Sequence, residues 1–253
     1  MGHKEGEVIQ HSMVTKSIER AQKKVEENNF GVRKRLLEYD DVMNIQREAI
    51  YRKRKHALEG ARLQLDINQM FMSMAESIVE RAKNKNDYEE FIEESMTIMG
   101  AVPDVDEEMF RSTASDDLVE LFQDQIQKQY ENKRYKIAET LMPIIKSVYE
   151  NEGHRYKRIS IPFTDGRKHA LPVSADLKEA IDTKGKSVMI DIEKAISLLL
   201  IDDHWKEHLR HMDELKESAQ AASFEQKDPL VVYKMEAYEL FEGLVYKINQ
   251  DVC

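Results

Sequence analysis

A chain of 253 residues with nine Gly and five Pro has few turn-formers for its length, so short strands joined by tight turns are not its main architecture. Hydrophobic residues make up 41% and charged ones 34%, a balance that suits long amphipathic helices and is highly charged for a compact α/β enzyme core. The formal charge of −10 argues against a chain-wide electrostatic binder of nucleic acid, and a single cysteine, Cys253, excludes an internal disulfide or a cysteine-based zinc cluster.

Apolar residues at Val14, Ile18, Ala21, Val25, Val32, Leu36, Tyr39, Met43 and Ile50 recur at spacings of three, four or their multiples, predicting one long helix from about Ser12 to Leu58. At 1.5 Å per residue it would span roughly 70 Å, a spine on which other modules rest. Asn28-Asn29-Phe30-Gly31 interrupts the good helix formers and is the expected place for any bend. The basic run Arg52-Lys53-Arg54-Lys55 reads as a dipole-matched helix end, with contact to acidic partners or lipid as the alternative.

After Gly60, residues 62–83 and 87–98 read as shorter amphipathic helices, followed by an acidic loop at Asp104-Val105-Asp106-Glu107-Glu108. Ser115-Asp116-Asp117 is expected to cap another long helix, which Pro143 should kink or break. Between Lys157 and Val173 the period changes to two around Thr164-Asp165-Gly166-Arg167, a hairpin whose two prolines confine it to a sheet edge or an isolated ribbon. From Lys186 the helical period returns, fades over residues 218–227 and resumes at Asp228-Pro229, an N-cap followed by proline at the first helical position. These last two helices should fold back antiparallel into a hairpin with a polar tip displaying one aromatic residue, Phe224.

Three patterns resemble sites of chemistry. Ala180-Ile181-Asp182-Thr183-Lys184-Gly185-Lys186-Ser187 matches a loosened P-loop, but the residues before it are polar with a helical period, where a phosphate cradle needs a buried strand. Gly185 is better read as a break between helices. His204, His208 and His211 share one helix face, yet imidazoles along one helix rarely converge on one ion, so the expectation is no physiological metal site. Adjacent acids in Asp40-Asp41 and Asp202-Asp203 point about 100° apart on a helix and default to surface charge. No catalytic residue is expected.

Two stretches are more specific than their periodicity. Residues 21–26 (Ala-Gln-Lys-Lys-Val-Glu), Asn29-Phe30, Leu36-Leu37-Glu38-Tyr39-Asp40-Asp41-Val42 and Ala49-Ile50-Tyr51 closely resemble the start of the helical scaffold domain of SecA, the bacterial preprotein translocase motor. Trp205-Lys206-Glu207-His208-Leu209, Met212-Asp213 and Gln226-Lys227-Asp228-Pro229 resemble the same family's two-helix finger. The resemblance implies a mainly α fragment with three parts: a long scaffold helix at 1–60, a helical wing domain at 61–185 bearing the hairpin near 157–173, and a scaffold continuation with the finger at 186–253. It implies a role in pushing unfolded preproteins through the SecY channel, driven by nucleotide-binding domains outside this chain that use ATP and Mg, with no cofactor held here. Phe224, Gln226, Lys227 and Asp228 would contact the polypeptide at the finger tip, and Tyr39, Asp40 and Asp41 would face the motor domains. The location implied is cytoplasmic, against the inner face of the plasma membrane and its anionic lipid. The alternative is a free-standing helical adaptor without a motor.

Charge is unevenly spread, which bears on those partners. Residues 61–153 carry 10 basic and 20 acidic side chains, whereas residues 1–60 carry 13 and 10. The acidity belongs to the middle, so net charge does not exclude contact of the spine or finger with a basic channel vestibule or a membrane surface.

Overall fold

In a computed structural model, the described residues are 12–60, 62–164, 170–221 and 228–253. They form a mainly α structure: α1 (Ser12–Glu59), α2 (Leu63–Lys85), α3 (Tyr88–Ile98), α4 (Glu107–Ser112), α5 (Ser115–Glu152), β1 (Arg158–Thr164), β2 (Ala170–Asp176), α6 (Leu177–Asp182), α7 (Lys186–Ala221) and α8 (Pro229–Val252). The long first helix, the isolated hairpin and the two long C-terminal helices all follow the sequence periods.

Two sequence interruptions leave their helices continuous, and two local expectations are corrected. Helix α1 is uninterrupted through Asn28–Gly31, because one glycine costs only about 1 kcal/mol and good helix formers flank it on both sides. Pro143 lies inside α5 without ending it, since Ala138 and Ile145, on either side of the proline, are both buried in one apolar cluster. Ser115 is the first residue of α5 rather than its cap; Ala114 holds that position with no side-chain bond, while Asp116 and Asp117 remain in the favourable first turn. The acidic loop contains a short helix, α4, because Asp106 accepts a bond from the Met109 amide at 2.7 Å.

The described chain divides into two compact units, one of residues up to Arg47 with Asp213–Tyr238, the other of Glu48–Met212 with Glu239–Cys253. In the larger unit, one apolar cluster joins α2, α3, α4 and the start of α5, centred on the rings of Phe91, Phe110 and Phe122 with centroids 5.3 Å apart for each of the two Phe91 pairs. A second cluster joins the end of α5 to the hairpin, α6 and the start of α7. Ile161 pairs with Val173 across the antiparallel ribbon, and both side chains are buried there. Pro162 pairs with Pro172, and both rings are exposed, as the proline positions of an isolated ribbon require. No helix among the described residues is long and apolar enough to cross a membrane.

Candidate functional site

The smaller unit brings the middle of α1 onto the two C-terminal helices. Tyr39 lies with its ring centroid 4.7 Å from that of Tyr233, at an interplanar angle of 56°. Tyr233 is 1% exposed, while Tyr39 is half-buried, so the contact anchors α8 on α1. Burial, and then the nearby charges of Asp40 and Asp213, push the Tyr233 phenol up to about 12, so it stays neutral at physiological pH. Asp40 faces Lys216 of α7 at 3.9 Å, an exposed pair worth at most about 1 kcal/mol. Asp41 is exposed. Of the three α1 residues singled out in the sequence, two therefore touch the C-terminal helices.

Gln46 was not legible as a site residue, yet its side-chain amide donates to the Ala237 carbonyl at 2.9 Å while itself buried. Its register, three residues after Met43 and four before Ile50, was the available signal. Together Tyr39, Asp40 and Gln46 give α1 an aromatic contact, an ion pair and a hydrogen bond to α7 and α8.

Phe224, Gln226 and Lys227 lie outside the described residues. Asp228 is described: its carboxylate accepts from the Leu230 amide at 2.9 Å and its carbonyl from the Val232 amide at 3.2 Å, so it caps α8 as the sequence predicts.

The histidine row does not converge. The Nε2 of His204 lies 2.7 Å from an Asp251 carboxylate oxygen, whereas His208 is buried against Trp205 and Phe241, with centroids at 5.4 and 5.9 Å. These two contacts pair ascending positions on α7 with descending ones on α8, so the helices are antiparallel in the larger unit. No group of His, Cys, Asp or Glu among the described residues could hold a metal ion. The other two patterns are structural as well. Helix α6, not a strand, precedes Lys184 and Gly185, and Asp202-Asp203 lies inside α7. Asp202 receives the guanidinium of Arg54 at 2.8 and 3.2 Å, which ties α1 to α7 in the larger unit.

Burial of His208, with the neighbouring His211, pushes its pKa down to about 4 from an ordinary 6.5. The unfolded chain binds the proton more readily, so the stability that neutral His208 contributes is complete above about pH 6.5 and is lost as pH falls through about 4. The loss is expected to be on the order of 3 kcal/mol. Urea unfolding between pH 7 and 4 should show it, and His208→Phe should flatten that slope; equal slopes in both proteins would refute the assignment.

The chain matches the SecA Wing and Scaffold domain over residues 8–253. It is 52% identical over 252 residues to the protein translocase subunit SecA of Christiangramia forsetii, 50% to that of Flavobacterium psychrophilum and 48% to that of Cytophaga hutchinsonii. Each alignment covers 100% of this chain and 22% of the relative, so the chain spans about a fifth of the length of these curated relatives. The match runs over nearly the whole chain, and the chain belongs to the SecA wing and scaffold domain family.

Proposed function

We propose that this chain is the mechanical portion of a SecA-type protein translocase, coupling ATP-driven motion of nucleotide-binding domains to movement of a two-helix finger that pushes unfolded preproteins through the SecY channel. Residues 1–60 act as scaffold helix, 61–185 as wing and 186–253 as scaffold continuation and finger. The observation that carries this reading is the Tyr39–Tyr233 contact at 4.7 Å, with Asp40–Lys216 and Gln46–Ala237 beside it. Three different interactions tie one stretch of α1 to both finger helices, so a displacement of α1 at Tyr39 is felt by α7 and α8 together.

Ahead of this junction, α1 exposes Val14, Ile18, Val25, Phe30, Val32 and Leu36, an apolar stripe that suits burial against the nucleotide-binding domains. ATP and Mg would be held there, with Tyr39, Asp40 and Asp41 near the point where motion enters. Phe224, Gln226, Lys227 and Asp228 would meet the preprotein. The protein would work in the cytoplasm against the anionic inner face of the plasma membrane.

Tyr39→Ala in the full-length protein tests the coupling. Loss of about 1 kcal/mol of aromatic contact is expected to lower the preprotein moved per ATP hydrolysed by roughly fivefold. An unchanged ratio, with translocation and hydrolysis both at parental rates, would sink the reading.

A further inference from the structure

Helix α5 carries a second face, lined in part by side chains that the described chain leaves open. Tyr135, Met142 and Lys146 recur along it at spacings of seven and four, and with Ile181 and the buried Ala138 and Met189 they line a groove of about 980 Å3. Tyr135 at its edge is 70% exposed. The opposite wall is the corner between α6 and α7, where Lys184 and Gly185 have φ of 54° and 81°. A side chain at Gly185 would put its Cβ 3.2 Å from that of Ala138, so the glycine lets this corner close tightly against α5. The Thr183 hydroxyl accepts from the Ser187 amide at 3.1 Å and fixes the corner further.

The rim of the groove is cationic. Lys146, Lys184 and Lys186 line it, all exposed, and none forms an ion pair among the described residues. Arg134 also lines it but is engaged by Glu193 at 2.8 Å. Glu131 and Glu139 share the wall. Three unpaired ammonium groups around an apolar floor call for carboxylates that also carry apolar side chains. Two acids on the same wall disfavour a uniform polyanion, such as nucleic acid, and a concave floor disfavours a flat bilayer.

We propose that this groove docks an acidic amphipathic helix of a partner polypeptide, with its apolar side chains on Tyr135 and Met142 and its carboxylates toward Lys146, Lys184 and Lys186. The full chain is titrated into a fluorescent helical peptide of about five turns, built from Leu, Ala and Glu with one apolar face, and read by anisotropy. The Glu peptide is expected to bind, its Lys-for-Glu analogue not to bind. Lys146→Glu/Lys184→Glu/Lys186→Glu and, separately, Tyr135→Asp should each raise Kd about tenfold or more with helicity unchanged. All four substitutions are at exposed positions, so the fold should tolerate them. No binding of the Glu peptide, equal binding of the Lys analogue or an unchanged Kd in the variants overturns the proposal. So does phosphatidylglycerol vesicle binding that the same variants abolish while peptide binding persists.

Discussion

On the proposed reading, Phe224→Gly in the full-length protein is expected to abolish preprotein translocation while leaving basal ATP hydrolysis largely intact. The chemical reason is the generality of the contact. A translocating chain offers no fixed sequence, so a tip that grips it must use apolar area, and a phenyl ring offers about 2 kcal/mol of burial to whatever side chain passes. Glycine offers none, whereas Phe224→Tyr keeps the ring and should retain most translocation. Asp228 sets the start of α8 through its bonds to Leu230 and Val232, and α7 extends to Ala221. The experiment compares translocation of a model preprotein into membrane vesicles with ATP turnover in their absence. Unchanged translocation in the Gly variant refutes the tip assignment; a parallel loss of basal turnover points to damage beyond the tip.

How far the sequence reaches is decided by the range of the interactions involved. Helix α1 was legible almost to its ends, because its stripe from Val14 to Ile50 is a local periodic signal. The ribbon was legible from its period of two and its prolines, and the start of α8 from Asp228-Pro229. Pro143 does not end α5 because its cost is local, about 3 kcal/mol, while the burial of Ala138 and Ile145 that offsets it comes from β1, β2 and α6, elements separate in sequence. Helix α4 was hidden because six residues carry too little periodic signal, although Asp106 was a readable cap. At the candidate site, Tyr39 and Asp40 were named through the family resemblance, but their partners Tyr233 and Lys216 lie more than 170 residues away and had no local signature. His208 reads as part of a polar histidine row until the rings of Trp205 and Phe241 are seen to bury it.

Glu193→Ala is expected to destabilise the larger unit by about 3–5 kcal/mol, the largest thermodynamic effect of any substitution considered. Glu193 of α7 is nearly inaccessible, and its Oε1 meets both the Tyr130 hydroxyl at 2.8 Å and the Arg134 Nε at 2.8 Å, so it is the hub joining α5 to α7. Burial raises its pKa, and the Tyr130 bond and the Arg134 charge only partly offset that, so the carboxylate is held at a desolvation cost that its partners must repay. The Arg134 contact is short but poorly aligned as a hydrogen bond, leaving Nε without a well-directed acceptor, which makes the guanidinium depend on the charge of Glu193 rather than on geometry. Removing the carboxylate strands a largely buried cation and a buried hydroxyl together, beside an existing cavity of about 150 Å3 that the deletion enlarges. Glu193→Gln keeps an acceptor for Tyr130 and should cost less, about 1–3 kcal/mol. The pH dependence separates charge from shape. Because the folded pKa of Glu193 lies above the unfolded one, the parent should gain stability from this group as pH falls toward the folded value, and the Gln variant should lack that gain. Urea unfolding at neutral and acid pH measures both quantities; an Ala variant within about 1 kcal/mol of the parent would show that Arg134 and Tyr130 are satisfied without Glu193, and that the α5–α7 junction rests on apolar packing alone.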